Sequence, residues 1–183
     1  MEKTFRLGIL IGRFQTLHLG HEDMIRRAFS LCERVAVFVG SSQESGTAKN
    51  PYSFEMRRDV LRAVFGEKLE VYPLPDIGVG NCPAWGEYVL GQVVAACGEA
   101  PDLVVTGKEE ARKDWFLGPD GRGVCELVVP KTVDICASTL RGYLLEGEED
   151  KWRAYTNPAL WDRFDEMRSL VIASADNTFT RSM

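Results

Sequence analysis

Histidine is scarce in this sequence: there are two in 183 residues, His18 and His21, three positions apart. Basic residues are outnumbered 22 to 27 by acidic ones, leaving a formal net charge of -5. That balance argues against broad electrostatic capture of nucleic acid, although a local basic patch remains allowed. No stretch approaches the roughly 20 consecutive apolar residues of a membrane helix. The short apolar run after Arg6 stops at Gly12-Arg13, so no secretory leader is read and no membrane association is expected. The five cysteines form no C-x-x-C pair and are odd in number, which argues against a zinc ribbon or a disulfide framework. A reducing, cytoplasmic setting is therefore expected, with Cys32, Cys97 and Cys125 as small buried hydrophobes. Internal repeats and low-complexity runs are absent. So are two common nucleotide-binding fingerprints, G-x-x-x-x-G-K-[ST] and a G-x-G-x-x-G after the first strand.

What is present is a 45% hydrophobic chain, long enough for one domain with a full core. Short, nearly continuous apolar runs occur at Phe5–Ile11, Val35–Val39, Leu69–Leu74, Leu103–Thr106 and Cys125–Val129. Continuous rather than alternating runs mark strands buried on both faces of a parallel sheet. Helical stripes lie between them: Met24, Ile25, Ala28, Phe29 and Cys32; then Met56, Val60, Leu61, Val64 and Phe65; then Trp85 through Cys97. A fourth helix begins near Ser138, and a C-terminal one opens at Asn157-Pro158, a good N-cap followed by proline. The expected fold is α/β, a doubly wound, Rossmann-like parallel sheet of about five strands with a C-terminal helical segment. A single domain spans 1–183: an α/β core at 4–150, a C-terminal helix at 151–172 and a polar tail at 173–183.

Doubly wound sheets bind ligands beyond the carboxyl ends of their strands. The unusual residues of this chain fall there: Gly12-Arg13-Phe14 and both histidines after the first strand, Gly40-Ser41-Ser42 after the second, Pro75-Asp76 after the third, Gly107-Lys108 after the fourth and Ile135–Ser138 after the fifth. Gly12 and Gly20 let an anion approach the backbone, because neither carries a Cβ. A helix starting near Gly20 aims its free N–H groups and positive dipole end at the same place. His18 and His21, at i, i+3, share a face from which both can donate to phosphate oxygens. As a zinc site the pair lacks a third ligand at any known spacing, so no protein-held metal is expected.

The segment Gly12–His21 resembles the G-R-F-Q-P-x-H-x-G-H signature of the HxGH nucleotidyltransferases, and in particular of the nicotinamide-nucleotide adenylyltransferase family. Asn50-Pro51-Tyr52-Ser53 through Arg58 is similar to that family's N-P-[FWY]-[ST]-x-x-E-R segment. Pro73–Ile77 followed by Trp85 is similar to its P-x-x-D-I…W segment, and Ile135–Arg141 to I-S-x-T-x-[IV]-R. The resemblance implies transfer of AMP from ATP, carried with Mg2+, to nicotinamide mononucleotide (NMN), giving NAD and pyrophosphate. It further implies that His18, His21 and Arg141 are catalytic, and that Gly12, Arg13, Phe14, Gly20, Gly107, Lys108 and Ser138 join them around ATP. On the NMN side it implies Arg13, Ser41, Lys49, Asp76, Asn81 and Trp85, with Trp85 stacking on the nicotinamide ring. Among the departures from the pattern, Thr16 stands where the family has Pro, Cys136 where it has Ser, and Ser138 where it has Thr. Two alternatives stay open, the same transfer to nicotinate mononucleotide or phosphopantetheine, and a non-catalytic nucleotide sensor. Self-association as a homo-oligomer is also left open.

Overall fold

In the computed structural model, the described residues are 2–80, 82–107, 115 and 123–180, with side chains described to 176. Five strands, β1 (Phe5–Gly12), β2 (Cys32–Gly40), β3 (Leu69–Leu74), β4 (Leu103–Thr106) and β5 (Cys125–Val128), form one sheet in the order β3-β2-β1-β4-β5. Every neighbouring pair is parallel. The order reverses direction between β1 and β4, so the chain winds outward both ways from the centre and leaves a crevice beyond the carboxyl ends of those two strands.

The apolar runs of the central strands are continuous because both sheet faces are covered there, whereas β5, expected to be buried on both faces, is exposed to half-buried because it lies at the sheet edge. Val35, Val37 and Val39 of β2 pack into one core with Ile25 and Ala28 of α1 (Leu19–Leu31), and Val60 and Leu61 of α2 (Phe54–Phe65). Ala36 and Phe38, the residues between, pack into a second core with Val89 and Val93 of α3 (Pro83–Cys97). Successive strand residues thus point to opposite faces, and both faces are dry.

The remaining elements are α4 (Ala137–Glu146), α5 (Glu149–Arg153), a 3-10 turn at Pro158–Arg163 and α6 (Phe164–Thr180). Here the structure corrects the expected helix at 151–172 followed by a polar tail. Asn157 does cap a helical turn at Ala159, but α5 ends at Arg153 and a separate α-helix begins only at Phe164 and continues to Thr180. The stripe Leu160, Phe164, Met167 and Val171 is buried in the first core, and Ser174, also buried, hydrogen-bonds back to the Leu170 carbonyl at 2.7 Å. That burial carries the helix on into sequence that looks like a tail. Cys32 is buried as expected and Cys97 partly so, whereas Cys125 is exposed on the edge strand β5.

Candidate active site

A cleft of about 600 Å³ opens at the carboxyl ends of the strands. Its histidine wall is built by the start of α1. His18 is the N-cap, with extended backbone, and its Nδ1 accepts the His21 backbone N–H at 3.3 Å. This hydrogen bond fixes the tautomer: Nδ1 is the bare nitrogen and Nε2 carries the proton. Gly20 suits the same arrangement, because a Cβ there would crowd His18 Nδ1 at 3.0 Å. The two imidazoles stack with centroids 3.7 Å apart, and the Phe14 ring lies 4.8 Å from that of His21. Burial pushes His18 down to about 4, helped by the Lys131 ammonium. Burial, and then His18, holds His21 well below the ordinary imidazole value. Both rings are neutral at pH 7, and His21 Nδ1 is buried without a hydrogen-bond partner among the described residues.

The opposite wall comes from the β2 and β3 ends. Ser41 donates its hydroxyl to Asp76 at 2.6 Å, and the Asp76 backbone N–H donates to Gln43 Oε1 at 3.1 Å. Trp85 stands beside them, edge-on to Trp115 with centroids 6.5 Å apart. The Trp115 backbone lies so close to α3 that a Cβ on Gly86 would meet its carbonyl oxygen at 2.1 Å, so only glycine fits there. From α4, Arg141 donates to the Gln15 carbonyl and, at 3.2 Å, to Ser138 Oγ. Burial, and then Arg13, lowers the Arg141 value. The Cys136 thiol, where the resemblance has serine, also lines the cleft and is lowered, chiefly by its hydrogen bond with the Thr139 hydroxyl.

The cleft therefore brings together Gly12, Arg13, Phe14, His18, Gly20 and His21 from the first segment, Ser41, Asp76 and Trp85 on the acceptor side, and Gly107, Ser138 and Arg141 on the third. Lys49 is not among them. It is exposed on a loop that closes on itself, Thr47 N–H to the Asn50 carbonyl at 3.3 Å and Asn50 N–H to Thr47 Oγ1 at 3.0 Å. That turn leaves the preceding lysine in solvent. Asn81 and Lys108 lie outside the described residues.

Sequence reasoning missed Gln15, Arg57 and Lys131. Gln15 is buried and pairs twice with the Tyr52 backbone, at 2.9 and 3.0 Å, which joins the histidine segment to the Asn50–Arg58 segment. Lys131 lines the cleft after β5 and pairs with Asp134 at 2.6 Å. Its place just beyond a strand end was the available signal. Arg57 lies at i, i+3, i+4 and i+7 with Val60, Leu61 and Val64, a cation on the buried stripe of α2.

A parallel sheet with a capped histidine pair beside its switch point is an anion-binding architecture, and the family model for Cytidylyltransferase-like proteins matches residues 9–115. A curated nicotinamide-nucleotide adenylyltransferase of Thermococcus onnurineus is 37% identical over 148 residues, 77% of this chain and 73% of that protein. One from Saccharolobus solfataricus is 39% identical over 88 residues, 45% of this chain and 50% of its own length. The crystal structure of a bifunctional NMN adenylyltransferase/ADP ribose pyrophosphatase from Francisella tularensis, complexed with AMP and a manganese ion, superposes with a TM-score of 0.76 at 19% identity. It covers 97% of this chain and 54% of that one, and so shares the fold. The matches span about half the length of the Saccharolobus and Francisella proteins. The chain belongs to the cytidylyltransferase-like family and, within it, to the nicotinamide-nucleotide adenylyltransferases.

Proposed function

We propose that this cleft transfers AMP from ATP to nicotinamide mononucleotide, releasing pyrophosphate and forming NAD. The observation that carries the reading is the donor set: neutral His18 and His21, Arg13, Arg141 and the start of α1 converge on one cleft in which Asp76 is the one carboxylate among the described lining residues. Such a set suits a polyanion. The acceptor is already ionised, so its 5′-phosphate oxygen forms the new bond to the α-phosphorus as the bond to the bridging oxygen breaks. Pyrophosphate leaves with the electron pair. No protein nucleophile is needed, and the chain's work is alignment and stabilisation of charge on the transferring phosphoryl oxygens.

In this reading His18 donates from Nε2 to the phosphates, its tautomer held by its own capping bond, and His21 donates beside it toward the α-phosphate. Arg141, already engaged with the Gln15 carbonyl, is carried by α4 to the β- and γ-phosphates, with Ser138 at the helix start beside it. Gly12, Gly20 and Gly107 admit the nucleotide close to the backbone, and the resemblance assigns Lys108 to ATP as well. Asp76, Ser41 and Asn81 hold polar groups of the acceptor, Trp85 stacks on its ring, and Arg13 faces its phosphate.

Among the described residues no three His, Cys, Asp or Glu side chains cluster as a metal cage, and Asp76 already accepts the Ser41 hydroxyl. The residues fit Mg2+ that arrives on the triphosphate rather than one held by the chain. Bound there, the ion offsets triphosphate charge. A divalent ion is also consistent with the manganese found with AMP in the Francisella relative. Dependence on ATP and five free cysteines support a cytoplasmic place of action. No helix among the described residues is long and apolar enough to cross a membrane.

The test is pyrophosphate release from Mg-ATP with NMN, nicotinate mononucleotide and phosphopantetheine offered in turn. Release with NMN is the expected result. Release with phosphopantetheine alone contradicts the place given to Trp85, and release with none contradicts the enzyme reading.

A further inference from the structure

Among the described residues, two that are not glycine have left-handed backbone, Phe14 at φ 50° and Ser41 at φ 48°. Side chains with a Cβ adopt that region against a steric cost, so something must hold them there. Both line the cleft, and both touch groups that matter to it: Phe14 packs on the His21 ring, and Ser41 holds Asp76. They come from different loops with no sequence proximity. What they share is Arg57.

The Arg57 side chain is 1% exposed, one of the largest fully buried groups in the molecule. It has no carboxylate within ion-pairing distance among the described residues. Its guanidinium instead donates to four backbone carbonyls: Nη1 to Arg13 at 3.0 Å and to Gly40 at 2.8 Å, Nη2 to Ser41 at 3.1 Å, and Nε to Ser53 at 3.1 Å. Three of these bear directly on the two left-handed residues. The Arg13 carbonyl belongs to the peptide unit whose orientation sets φ of Phe14. The Gly40 and Ser41 carbonyls belong to the two peptide units on either side of Ser41, and so set both its φ and its ψ. The fourth bond anchors the arginine at the N-cap of its own helix α2.

We propose that Arg57 is the positioning residue of the cleft, clamping the peptide units around Phe14 and Ser41 so that the histidine wall and the acceptor wall keep a fixed separation. It acts through others: through Phe14 on His21, and through Ser41 on Asp76. Arginine is required because a planar fork of five donors can serve carbonyls on three separate segments at once. An ammonium has three donors on a single atom and a different reach. Burial lowers the guanidinium to about 10, which leaves it charged at neutral pH.

The kinetic consequence rests on adenylyl transfer in this cleft, while the structural consequence does not. The test compares the full chain with its Arg57→Lys variant in two measurements. In amide hydrogen exchange, peptides spanning 12–16 and 40–43 should exchange at least about tenfold faster in the variant, with the α3 and α6 peptides unchanged. In steady-state turnover, kcat should fall and KM for NMN should rise together, lowering kcat/KM by about 10²-fold, the scale of an ångström-sized misplacement. A loss of folded protein alone would lower kcat and leave KM where it was. A folded variant with wild-type exchange at both loops and an unchanged KM overturns the proposal. Should the variant not fold, arginine-15N spectra of the wild-type chain decide. Resolved, slowly exchanging Nη protons on Arg57 support the clamp, and averaged signals from a freely rotating guanidinium overturn it. If the wild-type chain releases no pyrophosphate with any acceptor, the adenylyl-transfer reading fails while exchange and spectra still judge Arg57.

Discussion

The two ends of the parallel sheet handle charge in opposite ways. At the amino end, Arg34 of β2 grips Glu70 of β3 with two bonds of 2.9 Å and Glu99 with one of 2.8 Å. Arg6 of β1 meets Glu99 at 3.3 Å, and Asp102 accepts the backbone N–H groups of Arg6 and Leu7 at 2.8 and 3.1 Å. Two cations there face three acids. At the carboxyl end, Arg13, Arg57, Lys131, Arg141 and two histidines gather around a cleft lined by Asp76 as its one described carboxylate. The first arrangement is complete in itself, and each ion finds its counterion within the chain. The second is short of anions: Lys131 pairs with Asp134, but Arg141 is lowered by burial and then by Arg13, and His18 by burial and then by Lys131. Closed networks hold strands together, whereas a surplus of donors is completed by a ligand.

The sharpest way to break the contrast is substitution at the carboxyl end. His18→Ala, His21→Ala and Arg141→Ala should each lower kcat/KM by about 10²-fold or more, the scale of removing a charge-stabilising donor. Steady-state pyrophosphate release measures this, and wild-type rates would remove the cleft from the chemistry.

The next effect is on stability, through pH. His18 titrates near 6.5 when unfolded and at about 4 when folded, so between those values the unfolded chain binds more protons. Its contribution is complete above pH 6.5 and is lost as pH falls toward 4, by on the order of 3 kcal/mol at most. His21, also depressed, adds in the same direction. His18→Asn keeps a capping side chain without a titrating ring. Its thermal midpoint should therefore fall less steeply than that of wild type across this window, and parallel curves would contradict the buried neutral pair.

The smallest effect belongs to the amino end. Arg34→Gln should cost roughly 1 kcal/mol or less, since the side chain is part-exposed, or about 2–4 °C in midpoint for a chain of this size. Its kcat/KM should stay within about twofold of wild type. A large loss of activity there would erase the distinction between the two ends.

Much of this was legible in the sequence for physical reasons. β4 coincides with its apolar run because all four of its residues are buried; β3, at the sheet edge, coincides with its run through the buried Leu69, Val71 and Leu74, while Glu70 and Tyr72 are half-buried and Pro73 is exposed. β2 begins at Cys32, ahead of its run, because α1 ends at Leu31 and passes into the strand with no Gly or Pro to mark the change. The histidine segment was readable because glycines, a strand end and a helix start coincide there. Lys49, which the resemblance implies for the acceptor phosphate, is exposed on its turn and outside the cleft lining, and nothing in the sequence marked which way that turn faces. Arg57 was hidden beside Arg58: the two look alike as letters, yet one is buried against carbonyls and the other ion-pairs with Asp59 at the surface. The C-terminal helix outran its expected end because burial of Ser174, bonded back to the Leu170 carbonyl, rather than local composition, carries it on.

The claim that the open end of the sheet moves an adenylyl group is tested most directly by following the phosphorus. With NMN and ATP labelled at the α-phosphate, the label should appear in the dinucleotide. With ATP labelled at the γ-phosphate, it should leave entirely as pyrophosphate. Label from the γ-position on the acceptor, or α-label retained in ADP, would contradict attack at the α-phosphorus and with it this account of the cleft.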